Sequence, residues 1–230
     1  MREWSEMTFR EVAELDRKLP VLVPLGLMEA HGDHLPNGTD SLTAEYIARK
    51  AAAESPCVLC PTLHYGYEGS TFEYPGTLGL SLETLARVLV DIVDGLVRQG
   101  FRKIVFLSGH GGNERAYHLA VDILARRGVD VKCVYHNWWT LAGFRSVHHA
   151  DAFESETAAA MGIRFERERG VDVVVQKSWH TEFSRARRYP DTGGTNGKPS
   201  EADLERGKES VRIAVEAVKR LLQQAYDEDD

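Results

Sequence analysis

Short apolar runs without polar alternation recur along the chain: VLVPLG (21–26), CVLCPTL (57–63), KIVFLSG (103–109), DVKCVYH (130–136) and DVVVQ (172–176). They are rich in Val, Ile and Leu, the pattern of strands buried on both faces. Between them lie SLTAEYIARKAAAE (41–54), SLETLARVLVDIVDGLVRQG (81–100) and NERAYHLAVDILARRG (113–128), each with apolar residues at helical spacing. Ser81 and Thr84 suit a helix start, and Gly100 and Gly128 stand where a helix-ending glycine belongs. An amphipathic segment from Ser200 to Tyr226 predicts a last helix, followed by an acidic tail, DEDD, expected to be solvated. Strand–helix alternation over this length predicts an α/β fold: a mostly parallel sheet flanked by helices on both faces.

There is no internal repeat and no low-complexity segment. The polar, Gly-rich stretch RARRYPDTGGTNGKPS (185–200) is followed by only one predicted helix, so it reads as a loop, and 1–230 as a single domain. The net charge of −7 argues against a general nucleic-acid binder, which would show a basic face. No run approaches the roughly 18–20 apolar residues of a membrane span, and the charged N-terminus is not a secretory signal. A cytoplasmic location is the expectation. Cys57, Cys60 and Cys133 all sit in apolar stretches, and no second Cys pair completes a thiolate site for CVLC, so the three are expected to be structural.

Polar residues concentrate where predicted strands end, which is where open parallel sheets bind ligands. MEAHGDHLPNGTD (28–40) follows the first strand, HYGYEGSTFEYPGT (64–77) the second and SGHGGNE (108–114) the third, while HHADAFESE (148–156) precedes a short helical pattern. Each has an ordinary reading. The first could be a solvated turn, and SGHGGN a glycine-rich anion cradle, although it lacks the Lys of a P-loop and the spacing of a dinucleotide fingerprint. His118, within a helix, and His136, at a strand end, read as structural, and His180 carries no signal. The combination says more. Glu29 and His31 are two apart and project to one side of an extended chain. Asp40 returns after a Pro/Gly turn, His110 arrives from another strand end, and a carboxylate from 148–156 would complete the set. Mixed carboxylate and imidazole ligands suit Zn, Mn or Fe(II), and a bridging acid suits two such ions.

At these residues the sequence resembles the creatininase (creatinine amidohydrolase) family. The matching pieces are VPLGLMEAHGDHLPNGTD, YPGTLGLS, GFRKIVFLSGHGGN and HADAFESE, in family order, with TGGTNGKPSEADLERGKE near the end. The resemblance implies an α/β fold with a parallel sheet, two divalent metal ions and a hexameric assembly. By position it implies Glu29, His31, Asp40 and His110 as ligands, with Asp40 bridging. Creatininase itself has a Glu where this chain has Gly112; members with the GHGGN form look to draw a later Glu, here Glu154. His149 takes the place of the proton-transfer histidine, and Trp139 looks like a substrate-pocket tryptophan. Many members carry a His before the Pro-Gly-Thr motif; here Ser70, Thr71 and Glu73 form that stretch, which alters the pocket wall and puts Ser70 and Thr71 among the substrate-binding candidates.

The expected function is metal-dependent hydrolysis of a non-peptide amide or formamide C–N bond, with a small-molecule substrate and neither nucleic acid nor membrane as partner. Family substrates are creatinine, formylated pyrimidine nucleotides and the peptide precursor of a redox cofactor. Gly112 shifts weight from creatinine, and Arg185, Arg187 and Arg188 suit a phosphate, although a solvated or subunit-facing basic run explains them too. A formylaminopyrimidine nucleotide deformylase is therefore the finer expectation. Creatininase proper, a peptidase and a non-catalytic metal-binding scaffold are the alternatives.

Overall fold

Among the described residues five strands line up in parallel in the order β1 (Arg2–Glu3), β3 (Val58–Leu59), β2 (Val21–Leu25), β4 (Lys103–Ser108) and β5 (Lys132–Asn137). The computed structural model describes residues 1–69, 71–144, 149–173 and 194–228. Ser70, His148, His180, Arg185, Arg187 and Arg188 lie outside the described residues, as do 174–176 of the last expected strand and the final two residues of the tail.

The long strands are β2 (Val21–Leu25), β4 (Lys103–Ser108) and β5 (Lys132–Asn137). β2 and β4 are buried at every position, as their unbroken apolar runs require. Strand alternation then sends side chains to two different cores. Val21, Val23, Leu25, Ile104 and Phe106 pack with helices α3 (Leu82–Arg98) and α4 (Asn113–Arg126). Leu22, Val105 and Leu107 face the other way, onto α2 (Thr39–Ala52) and the long final helix α7 (Leu204–Asp227). The helices therefore cover both faces of the sheet. A one-turn helix, α1 (Phe9–Ala13), precedes β2, and two short helices, α5 (Trp138–Leu141) and α6 (Ala152–Ala160), follow β5.

Local signals in the sequence act as anticipated. Ser81 caps α3 by accepting from the Thr84 N–H at 3.3 Å. Gly100 has φ +94°, and the Phe101 N–H reaches back to the Leu96 carbonyl at 3.1 Å, closing the helix with a left-handed turn.

Two expected strands change. The run 57–63 gives a strand only at β3 (Val58–Leu59): the Cys60 N–H still reaches the Leu22 carbonyl at 2.9 Å, but the next bond, to the Pro24 carbonyl, comes from Leu63, one residue out of register; the chain rejoins β2 at a single bridge between Leu63 and Leu25. At the start of the run 172–176, Val173 makes an isolated antiparallel bridge with Gly197 and does not join the parallel sheet. The outer position beside β3 is taken instead by β1 (Arg2–Glu3), too short and polar to carry a periodic signal.

The topology selects a place for chemistry. The loop after β2 leads to α2 on one face, and the loop after the adjacent β4 leads to α4 on the other. Adjacent strands whose connections diverge leave a crevice at their carboxyl ends. Leu25 pairs with Ser108 and Ser108 with Asn137, so three strand ends open onto that crevice together. Among the described residues no helix is long and apolar enough to cross a membrane.

Candidate metal centre

Residues from four segments meet at the crevice. The chain leaving β2 brings Glu29 and His31; the first turn of α2 brings Asp40; the turn after β4 brings His110; the segment entering α6 brings His149 and Glu154. Backbones must come very close for this. A Cβ on Gly109 would lie 2.0 Å from the Asp40 carbonyl oxygen, so glycine is required where the end of β4 meets the start of α2.

His31 is fully buried, and its Nδ1 lies 2.9 Å from the Glu29 carbonyl oxygen. That contact places a proton on Nδ1 and points Nε2 at Asp40 Oδ1, 3.1 Å away, and at Glu154 Oε2, 3.7 Å away. His110 points Nδ1 at Glu29 Oε2 and Asp40 Oδ2, each 3.0 Å away. His149 donates from Nε2 to the Ala30 carbonyl at 2.7 Å, which turns its Nδ1 toward Glu29 Oε2 at 3.9 Å.

These groups fall into overlapping triads: Glu29, Asp40 and His110; His31, Asp40 and Glu154; and Glu29, His31 and His149, with donor atoms in each within 4.8 Å of one another. Asp40 belongs to the first two. Glu29 Oε2, His31 Nε2 and Asp40 Oδ2 are buried and make no well-aligned hydrogen bond; their near neighbours are ion-pair partners within the same cluster at 3.0–3.1 Å. Buried polar atoms are normally satisfied, and carboxylates and imidazoles converging on one space can be satisfied by a cation that takes the place of the imidazole protons.

The electrostatics agree. Burial disfavours charge on His31, but the Asp40 carboxylate, with Glu154 and Glu29, outweighs it and raises the imidazole to about 10. His110 is likewise raised well above its ordinary value, burial being overcome by Glu29 and Asp40. Burial also opposes ionisation of Asp40, yet His31 and His110 hold its carboxyl well below the usual range. The site carries paired, buried charge at the carboxyl ends of apolar strands.

Surrounding groups were less legible from sequence. Thr71 is buried, and its hydroxyl donates to Glu29 Oε1, leaving Oε2 for the crevice. It sits behind a candidate ligand and not on an open pocket wall. Asn113 is fully buried: its side-chain NH₂ reaches the Gly26 carbonyl at 3.1 Å and its oxygen accepts from the Tyr67 N–H at 2.9 Å. It ties together the chain segments leaving three strands, and its place at the end of GHGGN was the one hint of a role. Trp139 does face the site, lining with Trp138 and Phe153 an aromatic cavity that also reaches Asp40 and Glu154. A Cβ on Gly112 would lie 2.4 Å from His110 Nε2, so the His110 ring occupies the space a side chain at 112 would need.

The remaining acids of 148–156 do other work. Asp151 caps α6 by accepting from the Glu154 N–H at 3.1 Å. Glu156 turns away to Arg206, with contacts of 2.5 to 2.9 Å, and to the Asp203 N–H at 3.0 Å. The cysteines are free, and burial pushes the thiols of Cys57, Cys60 and Cys133 up to about 12, consistent with inert packing roles.

Among known proteins, the chain is 37% identical over 116 residues to the mycofactocin precursor peptide peptidase of Mycolicibacterium smegmatis, covering 48% of this chain and 47% of that one. It is 31% identical over 146 residues to the creatinine amidohydrolase of Pseudomonas putida, covering 59% and 55% respectively. The matched stretches thus span about half the length of these curated relatives. In three dimensions it is similar to crystalline creatininase with a TM-score of 0.86 at 24% identity, covering 99% of this chain and 98% of that one. A creatininase variant described as Zn-Zn type shares the fold at a TM-score of 0.85 and 23% identity, covering 98% of each chain. The family model for creatinine amidohydrolase matches residues 5–222. With that match spanning nearly its whole length, the chain belongs to the creatininase family.

Proposed function

We propose that this chain is a metal-dependent amidohydrolase that holds two divalent ions, Zn, Mn or Fe. Glu29, Asp40 and His110 would form one position, His31, Asp40 and Glu154 the other, with Asp40 common to both. The observation that carries this reading is the convergence of Glu29, Asp40 and His110, and of His31, Asp40 and Glu154, with donor atoms within 4.8 Å of one another and with Glu29 Oε2, His31 Nε2 and Asp40 Oδ2 making no well-aligned hydrogen bond. Bound there, such ions supply an acidified water and polarise the scissile carbonyl. The chain's own groups do the rest. His149, anchored through Nε2 to the Ala30 carbonyl, keeps Nδ1 free to take a proton and return it to the leaving nitrogen. Trp139, with Trp138 and Phe153, supplies flat apolar walls beside Asp40 and Glu154 for a planar amide or ring.

Within amide substrates, a formamide C–N bond fits better than creatinine. Creatininase has a Glu at the position of Gly112, and here the His110 ring leaves no room for one. A peptide substrate is the second reading, favoured by the similarity to a precursor-peptide peptidase. Homo-oligomerisation is part of the proposal: Leu42, Tyr65, Phe72 and Leu78 are exposed large apolar residues, on α2 and on the loop that carries Thr71. A monomer mass by light scattering would reject it.

The decisive assay reconstitutes the protein with each metal and compares creatinine, a formylaminopyrimidine nucleotide and short peptides. Formamide turnover abolished by chelation and restored by metal is expected. Rapid creatinine turnover with no formamide activity reverses the substrate choice, peptide cleavage alone establishes the second reading, and no turnover of any amide leaves a metal-binding scaffold.

A further inference from the structure

One buried histidine next to the site has no part in that scheme. His34 is 1% exposed, and its ring is held on several sides. Phe165 meets it edge-on with centroids 6.1 Å apart. A Cβ on Gly32 would lie 2.7 Å from its Nδ1, so the glycine leaves only the space the ring fills. Its Nε2 lies 3.0 Å from the carbonyl oxygen of Ala150, across 116 positions of sequence. A ring nitrogen beside a carbonyl oxygen must carry the proton, so the contact is an N–H donated to Ala150.

Ala150 is the one non-glycine residue with positive φ, +53°, among the described residues. A side chain with a Cβ disfavours that region, and such a residue persists only where its surroundings over-determine it. The neighbours show what the turn achieves. The Ala150 N–H donates to Glu154 Oε2 at 2.5 Å. The preceding residue is His149, whose own carbonyl accepts from the Asn196 N–H at 2.7 Å. The following residue is Asp151, the cap of α6. A single left-handed residue therefore sets the direction of both His149 and Glu154, and His34 is the side chain that grips it.

We propose that His34 is the positioning residue of this centre: its Nε2–H clamps Ala150 in the left-handed turn that aims His149 and Glu154 at the cation positions. It touches neither cation position nor substrate and acts through the backbone. The inference rests on the ligand role given above to Glu154, and its test includes a readout independent of turnover.

The Gln amide nitrogen stands close to where imidazole Nε2 stands, whereas the Asn amide nitrogen stands near Nδ1. His34→Gln should therefore keep the clamp and His34→Asn should lose it. In metal-free protein, amide exchange at Ala150 should be protected in the wild type and in His34→Gln and at least tenfold faster in His34→Asn. In zinc titrations one of the two binding steps should weaken about tenfold or more in His34→Asn, the usual scale for groups that orient ligands, and return in His34→Gln. Equal behaviour of the two variants, whether both intact or both impaired, overturns the proposal. Should His34→Asn fail to fold, the pair His34→Asn with Ala150→Gly decides. Glycine adopts φ +53° freely, so recovery of folding shows that the clamp was the missing element. Failure of glycine to recover it makes His34 a packing residue and ends the proposal. If the chain hydrolyses no amide, the exchange result still stands alone, so failure of the functional reading and failure of this one are distinguishable.

Discussion

Glu29 and Glu156 are equally buried, at 3% and 2% exposure, yet they are solved in opposite ways. Glu156 is complete. Arg206 grips both of its oxygens and the Asp203 N–H adds another bond, so nothing is left for a ligand to satisfy. Glu29 is incomplete. Thr71 takes one oxygen, and the other has only the ion pair with His110 at 3.0 Å, through a ring nitrogen that it shares with Asp40. Burial alone does not distinguish a structural acid from a functional one; an oxygen left without a well-aligned hydrogen bond does.

The contrast breaks most sharply at Asp40, which both triads share. Asp40→Ala should reduce metal content from two ions per chain toward none. Loss of the several kcal/mol that bound ions contribute should slow hydrolysis by about a thousandfold or more. Full metal occupancy by elemental analysis in this variant, or in His110→Ala, would sink the assignment.

A second test uses protons. Before a metal binds, burial is outweighed by the neighbouring carboxylates, which raise His31 to about 10 and His110 well above its ordinary value and so favour protonated rings at neutral pH. A cation must displace those protons. Raising the pH from 6.5 toward 10 should therefore strengthen binding, by up to about tenfold per pH unit for each proton released. Calorimetric titration in two buffers of different ionisation enthalpy counts the protons; a count of zero contradicts the pairing of His31 and His110 with these acids.

Thr71→Val removes the hydroxyl behind Glu29 while keeping its shape, and should weaken metal binding by roughly 10–100-fold. Unchanged affinity would mean that Glu29 is aimed by packing alone. At Glu156 the expectation inverts. Glu156→Gln should lower stability by about 1–3 kcal/mol, read as a drop of several degrees in the melting midpoint, with metal content unaltered. Loss of metal in that variant would erase the distinction between the two acids.

The same comparison explains what could be read from the sequence. Glu29, His31, Asp40, His110 and Glu154 all lie at the ends of periodic elements, and the structure brings them together, because strand ends and helix starts are marked by local chemistry. Glu156 sits two positions from Glu154 with the same composition around it, and only the distant Arg206 separates their roles. Thr71 and Glu29 are 42 positions apart, and His34 and Ala150 are 116 apart. Contacts at such separations leave no periodic trace. The sheet shows the same limit: β2, β4 and β5 follow from their apolar runs, whereas β1 has two polar residues and is a strand only because β3 offers an edge.

The approach of β4 to α2 at Gly109 also bears on how such a protein can change. Any side chain there meets the Asp40 backbone at 2.0 Å, so the floor of the crevice tolerates almost no substitution. The walls around it are less confined: Trp139 and Phe153, which line it, are only half-buried. Variation arising by mutation is thereby channelled. It can alter which molecule enters, one wall residue at a time, while the reactive groups beneath keep their spacing. A library randomised at the walls should yield folded variants with shifted preference; one randomised at Gly109 should yield few folded proteins at all.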